Sequence, residues 1–265
     1  MTLVWKSGWD GLTESEAIDY VAAVEAADGQ ELEFGVAKAI NDFVVGCKSD
    51  GIWNAIKASC ILAGARTTNG ALVPLVGTAP TPNNFDLVGD TDYDRKTGLK
   101  GNGTNKYLNS NYSDSTGSQN NRHVSAYQAE AGAAGVSYYV AARRSSPFVT
   151  TQVAKTSNNK FVNNMQNANP NNFAGSSLVE TFVGGSRSDA NSEVHRSNGV
   201  NTVFTTSSVT PSALNFFVFA GNLDGVANTF SPARLSFYSV GESLDLAKLD
   251  TRVSNLITAI GAAIP

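Results

Sequence analysis

A mainly β fold, a sandwich or jelly roll preceded by short helices and closed by one more, is predicted by three observations on this 265-residue chain. From residue 67 to residue 222, short runs rich in β-branched and aromatic residues recur between Gly, Asn and Ser turns. Strands at that spacing pack as two antiparallel sheets. Before residue 66 the apolar residues step by three and four, the period of amphipathic helices. After Ser243 that period returns, with Leu244, Leu249, Val253, Leu256, Ile257 and Ile260 opposite Asp245, Lys248, Asp250 and Arg252. The expected organisation is a helical assembly region over 1–66 and a jelly-roll sandwich with its terminal helix over 67–265.

Trp5, Gly8 and Trp9 form an aromatic lead-in. Thr13-Glu-Ser-Glu16 has the pattern of a capping box, and Asp28-Gly29 supplies a stop. A second helix follows from Leu32, Val36, Ala39, Ile40, Phe43, Val44 and Cys47, and a third from Ile52, Trp53, Ile56, Cys60 and Leu62. Residues 71–76 read as a short edge strand because Pro74 interrupts them. Further strands are expected at 106–108, 124–127, 136–142, 148–153, 160–165, 179–183, 193–196 and 200–205. The Asn-dense stretch 157–177 reads as an exposed loop with a hairpin inside it. The run 213–221 is aromatic enough to be buried on both faces. In 233–240, Ala233, Leu235 and Phe237 alternate with Arg234, Ser236 and Tyr238, one set for the core and one for water. Phe216, Phe217, Phe219, Leu235 and Phe237 are expected in the core.

The chain is 42% hydrophobic but only 16% charged, with a net charge of −4, so its surface is dominated by neutral amides and hydroxyls. No basic cluster offers phosphates a footprint, which argues against nucleic-acid binding. The first residues show no secretory signal, and no apolar run approaches the roughly 20 residues that span a bilayer, so a soluble product with no membrane insertion is expected. Cys47 and Cys60 read as small core residues; with no His beside them they cannot complete a zinc shell.

Tests for chemistry mostly fail. Asp90, Asp92 and Asp94 are spaced as at the start of a calcium loop, but Arg95 stands where the turn glycine belongs and Gly101 where the bidentate glutamate belongs. They remain a weak metal candidate and no cofactor is expected. His123 and His195 could serve as bases only beside a nucleophile and an orienting acid. Gly184-Gly-Ser186 reads as a turn. Glycoside hydrolysis needs two carboxylates about 5–9.5 Å apart, and on the strands Glu130, Glu180 and Glu193 stand alone. No catalytic residue is assigned. What remains is a binding surface: Tyr107, Tyr112, Tyr127 and Tyr138 for stacking on sugar rings, with Arg143 among the hydrogen-bonding groups around them.

The segment Arg234-Leu-Ser-Phe-Tyr-Ser-Val-Gly-Glu-Ser-Leu-Asp245 resembles the closing strand and helix start of concanavalin A-like (laminin-G-like) jelly rolls in tailed-phage virion proteins. Asp92-Tyr-Asp-Arg-Lys-Thr-Gly-Leu-Lys-Gly-Asn-Gly-Thr-Asn-Lys-Tyr-Leu108 is similar to their entry strands, and the likeness extends over 71–260. The resemblance implies a non-enzymatic virion surface protein made in the host bacterial cytoplasm, forming a homotrimer and bound to other virion proteins. As a fibre or spike it would bind host-surface glycan; as a capsid decoration protein it would bind the shell and no ligand. A polysaccharide-degrading enzyme is the third reading.

Overall fold

The computed structural model describes residues 11–87, 92–132, 135–157, 160–167, 173–176 and 180–265; the aromatic lead-in and Asp90 lie outside them. Two helices come first, α1 (Ser15–Asp28) and α2 (Phe34–Ser49), then β1 (Ile56–Ile61), the single-turn α3 (Thr68–Ala71), β2 (Thr81–Asn83), β3 (Tyr93–Asp94), β4 (Gly98–Lys100) and β5 (Tyr107–Ser113). The long strands are β6 (Arg122–Glu130), β7 (Ser137–Ser145), β8 (Phe148–Lys155), β9 (Lys160–Asn167), with β10 (Phe173–Ser176) and β11 (Thr181–Arg187) after them. The chain ends with β12 (Ser192–Ser197), β13 (Val200–Thr205), β14 (Asn215–Val218), β15 (Gly221–Leu223), β16 (Val226–Asn228), β17 (Arg234–Gly241) and α4 (Leu246–Ala263).

The strands form two sheets. Sheet one runs β13-β12-β11-β6-β17-β4-β3, with β1 also on β17; sheet two runs β10-β9-β8-β7-β14-β5-β2, with β15 attached to β7 and β16 to β15. Between them lies a core that includes Val124, Ala126, Val183, Tyr238 and Val240 from sheet one and Leu108, Val140, Val153 and Val218 from sheet two. The other face of sheet one carries Tyr127, Phe182 and Phe237, and onto these pack Val36, Ile40 and Phe43 of α2 and Leu246, Leu249, Val253 and Ile257 of α4. Phe43 meets Phe237 edge-on at 5.8 Å between ring centres. Each such side chain taken out of water stabilises the fold by roughly 1.5–3 kcal/mol. The result is three layers: helices, sheet one, sheet two. The helix-packed cluster takes its strand residues from sheet one alone, so no helix among the described residues packs on the far face of sheet two.

The mainly β architecture, two sheets and a closing helix agree with expectation; several elements do not. Residues 56–61 are a strand, not a third helix. Ile56 to Ile61 pair with β17, and a short apolar run fits either period until a partner strand decides it. Cys60, free and buried like Cys47, therefore sits in a sheet. Since β1 is hydrogen-bonded into sheet one and α2 shares its core with α4, residues 11–66 are built onto the sandwich. The edge strand expected at 71–76 is mostly turn, with Val76 making one bridge to Ser59. The capping box does not form: Thr13 N and Glu14 N donate to the buried Asn41 Oδ1, so α2 caps α1 from the side. The 157–177 stretch holds the expected hairpin, as β9 paired with β10. In β17 a register shift between Leu235 and Phe237 undoes the alternation. Leu235 and Tyr238 face the inter-sheet core, whereas Phe237 faces the helices, so Tyr238 is not a water-facing residue. Similarly Gly184-Gly-Ser186 is strand, not turn.

Candidate functional site

The register of sheet two decides which side chains lie on its face away from sheet one, where Ala141, Thr150, Gln152, Ala154, Phe217 and Tyr138 are buried and Tyr107, Asn109 and Arg143 half-buried. Leu108 and Val218 point into the core, so their neighbours Tyr107, Asn109 and Phe217 point outward, with Phe217 paired to Asn109 on one side and to Ala141 on the other. In β7 a register shift falls between Tyr138 and Val140. That extra residue places Tyr138, Ala141 and Arg143 together on the outer face, opposite Ala154, Gln152 and Thr150 of β8. Tyr138, Ala141 and Ala154 accordingly form an apolar cluster of their own, separate from both cores.

Arg143 is the unusual member. Its guanidinium carbon lies 4.7 Å from the centre of the Tyr138 ring and 5.9 Å from that of Phe148. Its Nε is buried without a hydrogen-bond partner, and no carboxylate among the described residues pairs with it. Cation–π attraction supplies on the order of 0.5–2 kcal/mol here, but leaving a buried charged donor unmet costs about as much or more. The geometry therefore holds a planar cation with a free donor edge. Burial raises the Tyr138 pKa, and the Arg143 charge offsets part of that. Beside this clamp, Tyr107 and Phe217 lie 4.7 Å apart, with Phe230 at 6.1 Å from Tyr107. Asn109 and Asn83, which faces Tyr107 on β2, add amides. Tyr138 and Phe217 are buried, so the groups open to a ligand are the half-buried Tyr107 ring, the amides of Asn83 and Asn109 and the Arg143 guanidinium, which suit a sugar ring and an anion.

Of the five residues proposed from sequence, the structure joins Tyr138 to Arg143 and places Tyr107 on the same face. Tyr112 is elsewhere: five residues from Tyr107, it takes the opposite face of β5 and packs against the inter-sheet core. Tyr127 lies beneath the helices, its hydroxyl donating to Glu180 at 3.3 Å, and burial raises its pKa to about 12. Phe217 is buried, as expected of a core residue, although on the side of sheet two away from sheet one, and Phe148 is half-buried. Asp92 binds Lys106 at 2.5 Å, and Asp94 accepts from Lys96 N, Thr97 N and Thr97 Oγ1, so neither is poised for a metal. Among the described residues no group of acids, His or Cys is arranged for one.

The histidines are structural. His123 Nδ1 lies 2.6 Å from the Glu242 carbonyl, which only accepts, so Nδ1 carries the hydrogen and Nε2 accepts from Ser239 Oγ at 3.0 Å. That resembles a nucleophile–base pair, yet both residues are fully buried. His195 touches Glu193 at 2.9 Å, and Arg187 binds the other oxygen of the same carboxylate, all three sealed between the sheets. Sequence reasoning took Glu193 and His195 separately; their i, i+2 spacing on one strand was the signal that they share a face. Glu130 is held by Lys100 and Arg234. A cleft of about 410 Å³ also opens where α4 begins, beside Ser186, Ser192, Ser243 and Asp245. Its polar groups already serve the fold: Ser186 Oγ accepts from Leu244 N, Ser243 Oγ donates to Asn121, and Asp245 caps Ala247 N and Lys248 N.

No family model matches the chain, and no curated protein sequence does either. Among solved structures it is similar to a mutant of Trypanosoma rangeli sialidase displaying trans-sialidase activity, with 13% identity and a TM-score of 0.53, over 85% of this chain and 40% of that one. It also aligns with the NanB sialidase of Streptococcus pneumoniae, with 12% identity and a TM-score of 0.38, over 51% of this chain and 24% of that one. At such identity the likeness is one of fold, and this chain spans about 40% of the first protein's length. It nevertheless overturns the virion structural role, as fibre or as capsid decoration, because the fold is one that a sialidase carries and nothing in it points to a virion protein. The expectation of a non-enzymatic protein falls with it. That expectation rested on the resemblance and on Glu130, Glu180 and Glu193 standing alone on their strands, whereas catalytic groups can be assembled from several strands and loops.

Proposed function

We propose that this chain is the carbohydrate-engaging sandwich of a glycan-processing enzyme, a concanavalin A-like jelly roll whose outer face on sheet two receives the glycan. One observation carries the reading: on the face of sheet two away from the helices, half-buried Tyr107 and Arg143 lie against the buried rings of Phe217 and Tyr138, and the Arg143 guanidinium has no acid to pair with among the described residues. The likeness to a sialidase over 85% of the chain supports it. A carboxylate on the sugar would take the free edge of Arg143 in a charge-assisted pair, exchanging an unmet donor for about 1.5–3 kcal/mol of hydrogen bonding. The aromatic rings would bind the C–H face of a neighbouring sugar.

The test is titration of the protein with acidic and neutral oligosaccharides, followed by amide chemical shifts, beside an assay for release of sugar from a fluorogenic sialoside. Expected are shifts confined to β5, β7, β8 and β14, stronger for acidic than for neutral sugars, and lost in Arg143→Met. Absence of binding by any glycan at millimolar concentration would refute the reading. Release of sugar by the chain alone would place the reaction on the sandwich itself.

A further inference from the structure

Six strands leave an edge among the described residues, and five of them are defended against pairing with another chain: β1 is bridged at Ser59 by Val76, and β16 is three residues long. β2 is three residues long and contains Pro82; β3 is two residues long and carries Asp94; β10 has an irregular register with β9. Short length, proline, charge and bulges are the usual protections of a sheet edge. β13 has none. It is six residues, Val-Asn-Thr-Val-Phe-Thr, in uninterrupted register with β12, and no ionisable side chain occurs from Ser197 to Ser208. It also exposes two large apolar side chains, Val200 at 62% and Val203 at 67%.

The free hydrogen-bonding groups of this edge can be read from its hairpin. Ser197 pairs with Val200 across the two-residue turn Asn198-Gly199, both turn residues left-handed, and the closing pair of such a turn exchanges its hydrogen bonds. Even-numbered residues of β13 therefore bond inward to β12. Thr206 N donating to Asn191 O at 2.8 Å continues that rhythm. The N–H and C=O groups of Asn201, Val203 and Thr205 point outward, away from the sheet.

We propose that β13 pairs antiparallel with β13 of a second copy of this chain, about a two-fold axis through Val203. In that register Val203 faces Val203 and Asn201 faces Thr205. Each of the three outward residues then meets an outward partner, giving about six N–H···O=C bonds. Val203 lies opposite Val194, on the helix-facing side of sheet one, so the axis buries its exposed side chain against its own copy. Charge favours this partner. A two-fold sets every group opposite itself or its neighbour, and a strand without ionisable side chains meets no like charge; the closest one, Arg196, is held by Asp250 and Asn201. The two copies of sheet one become continuous, and sheet two takes no part in the pairing. The inference stands apart from the glycan reading.

Sedimentation equilibrium of the full chain tests it, with Val203→Lys as the probe and Val226→Lys, at an equally exposed valine on β16, as the control. The wild type and V226K are expected at twice the 27.8 kDa chain mass. V203K, which sets two ammonium groups across the axis and leaves the β12 ladder intact, is expected to dissociate with a dimer constant weakened on the order of 100-fold, its circular dichroism and melting unchanged. A wild type that sediments as a monomer or trimer overturns the proposal. So does a V203K that remains a dimer, which would put the contact elsewhere.

Discussion

Glu193→Gln should be one of the most damaging isosteric changes available in this protein. The Glu193 carboxylate is buried between the sheets, where Oε2 accepts from Arg187 Nη2 at 2.9 Å and from Met165 N at 2.9 Å, and Oε1 meets His195 Nε2 at 2.9 Å. An amide keeps the shape but has one accepting oxygen. If that oxygen stays with Arg187 and Met165, the new NH2 confronts His195, which must shift its hydrogen to Nδ1, an atom with no partner. If it turns to His195, Met165 N and Arg187 lose their acceptor. Either way Arg187, itself fully buried, keeps its charge without a counter-ion. Removing one partner of a buried pair costs about 3–5 kcal/mol, a large share of the 5–15 kcal/mol typical of a domain. At about 2–4 °C per kcal/mol for a chain near this size, the melting temperature should drop by roughly 6–20 °C.

The pH dependence supplies a check that simple loss of packing would not mimic. Burial alone would raise the Glu193 pKa, but the hydrogen bond from His195, the Arg187 charge and the Met165 amide together hold it below the ordinary carboxylate value. A depressed carboxylate stabilises the fold above its unfolded pKa, near 4.3, and that contribution disappears as the pH falls through the lower folded value. Urea unfolding of wild type and E193Q should therefore differ by several kcal/mol at pH 7 and converge in acid. A difference below about 1 kcal/mol at pH 7, or one that does not shrink on acidification, would refute the role given to the pair.

His123 should add its own slope. Burial lowers its pKa to about 4, so between there and the unfolded value near 6.5 only the unfolded chain holds the proton; stability should fall by about 3 kcal/mol as pH drops across that window, and His123→Gln should flatten urea midpoints there. Arg143→Met should abolish acidic-glycan binding while shifting unfolding by less than about 1 kcal/mol, since the guanidinium donates no hydrogen bond to lose. Gly241→Ala should destabilise by about 1–3 kcal/mol or more, because its Cβ would stand 2.0 Å from Ala55 O, whereas Gly261→Ala, with nothing within 4 Å on α4, should raise the melting temperature. If β13 pairing and glycan binding both hold, V203K should dissociate from an immobilised acidic glycan at least about ten times faster than the dimer.

The parts of the fold that read correctly from sequence are those where local pattern and tertiary partner agree. β13 was legible to the residue because Asn198-Gly199 fixes its turn, and α4 because its stripe is long enough to settle the period. Ile56 to Ile61 was not, since six apolar-leaning residues suit a helix until β17 offers a ladder. The site failed for a subtler reason. Tyr138 and Arg143 are five apart and should point to opposite faces of a strand; only the irregular residue between Tyr138 and Val140 restores them to one side. Tyr107 and Tyr112, also five apart, do take opposite faces, as alternation requires. Alternation gives the face of a side chain only while the strand is regular, and in β7 it is not.

The layering also limits where a ligand or partner can be received. Sheet one is closed on its inner side by the core and on its outer side by α2 and α4, so it can offer only its edges, and of these β3 is too short and charged to serve. The cleft beside α4 has polar groups already committed to hydrogen bonds that start the helix. The far face of sheet two is largely buried, but half-buried Tyr107 and Arg143 lie on it, and Arg143 is the single described guanidinium clamped by aromatic rings with a buried, unmet donor. A half-open ring and guanidinium suit a ligand with apolar and polar sides, such as a sugar; a free edge strand suits another strand. Because the two features lie on different sheets, occupation of β13 by a second copy does not obstruct Arg143, and each surface can be disabled by a substitution that leaves the other intact.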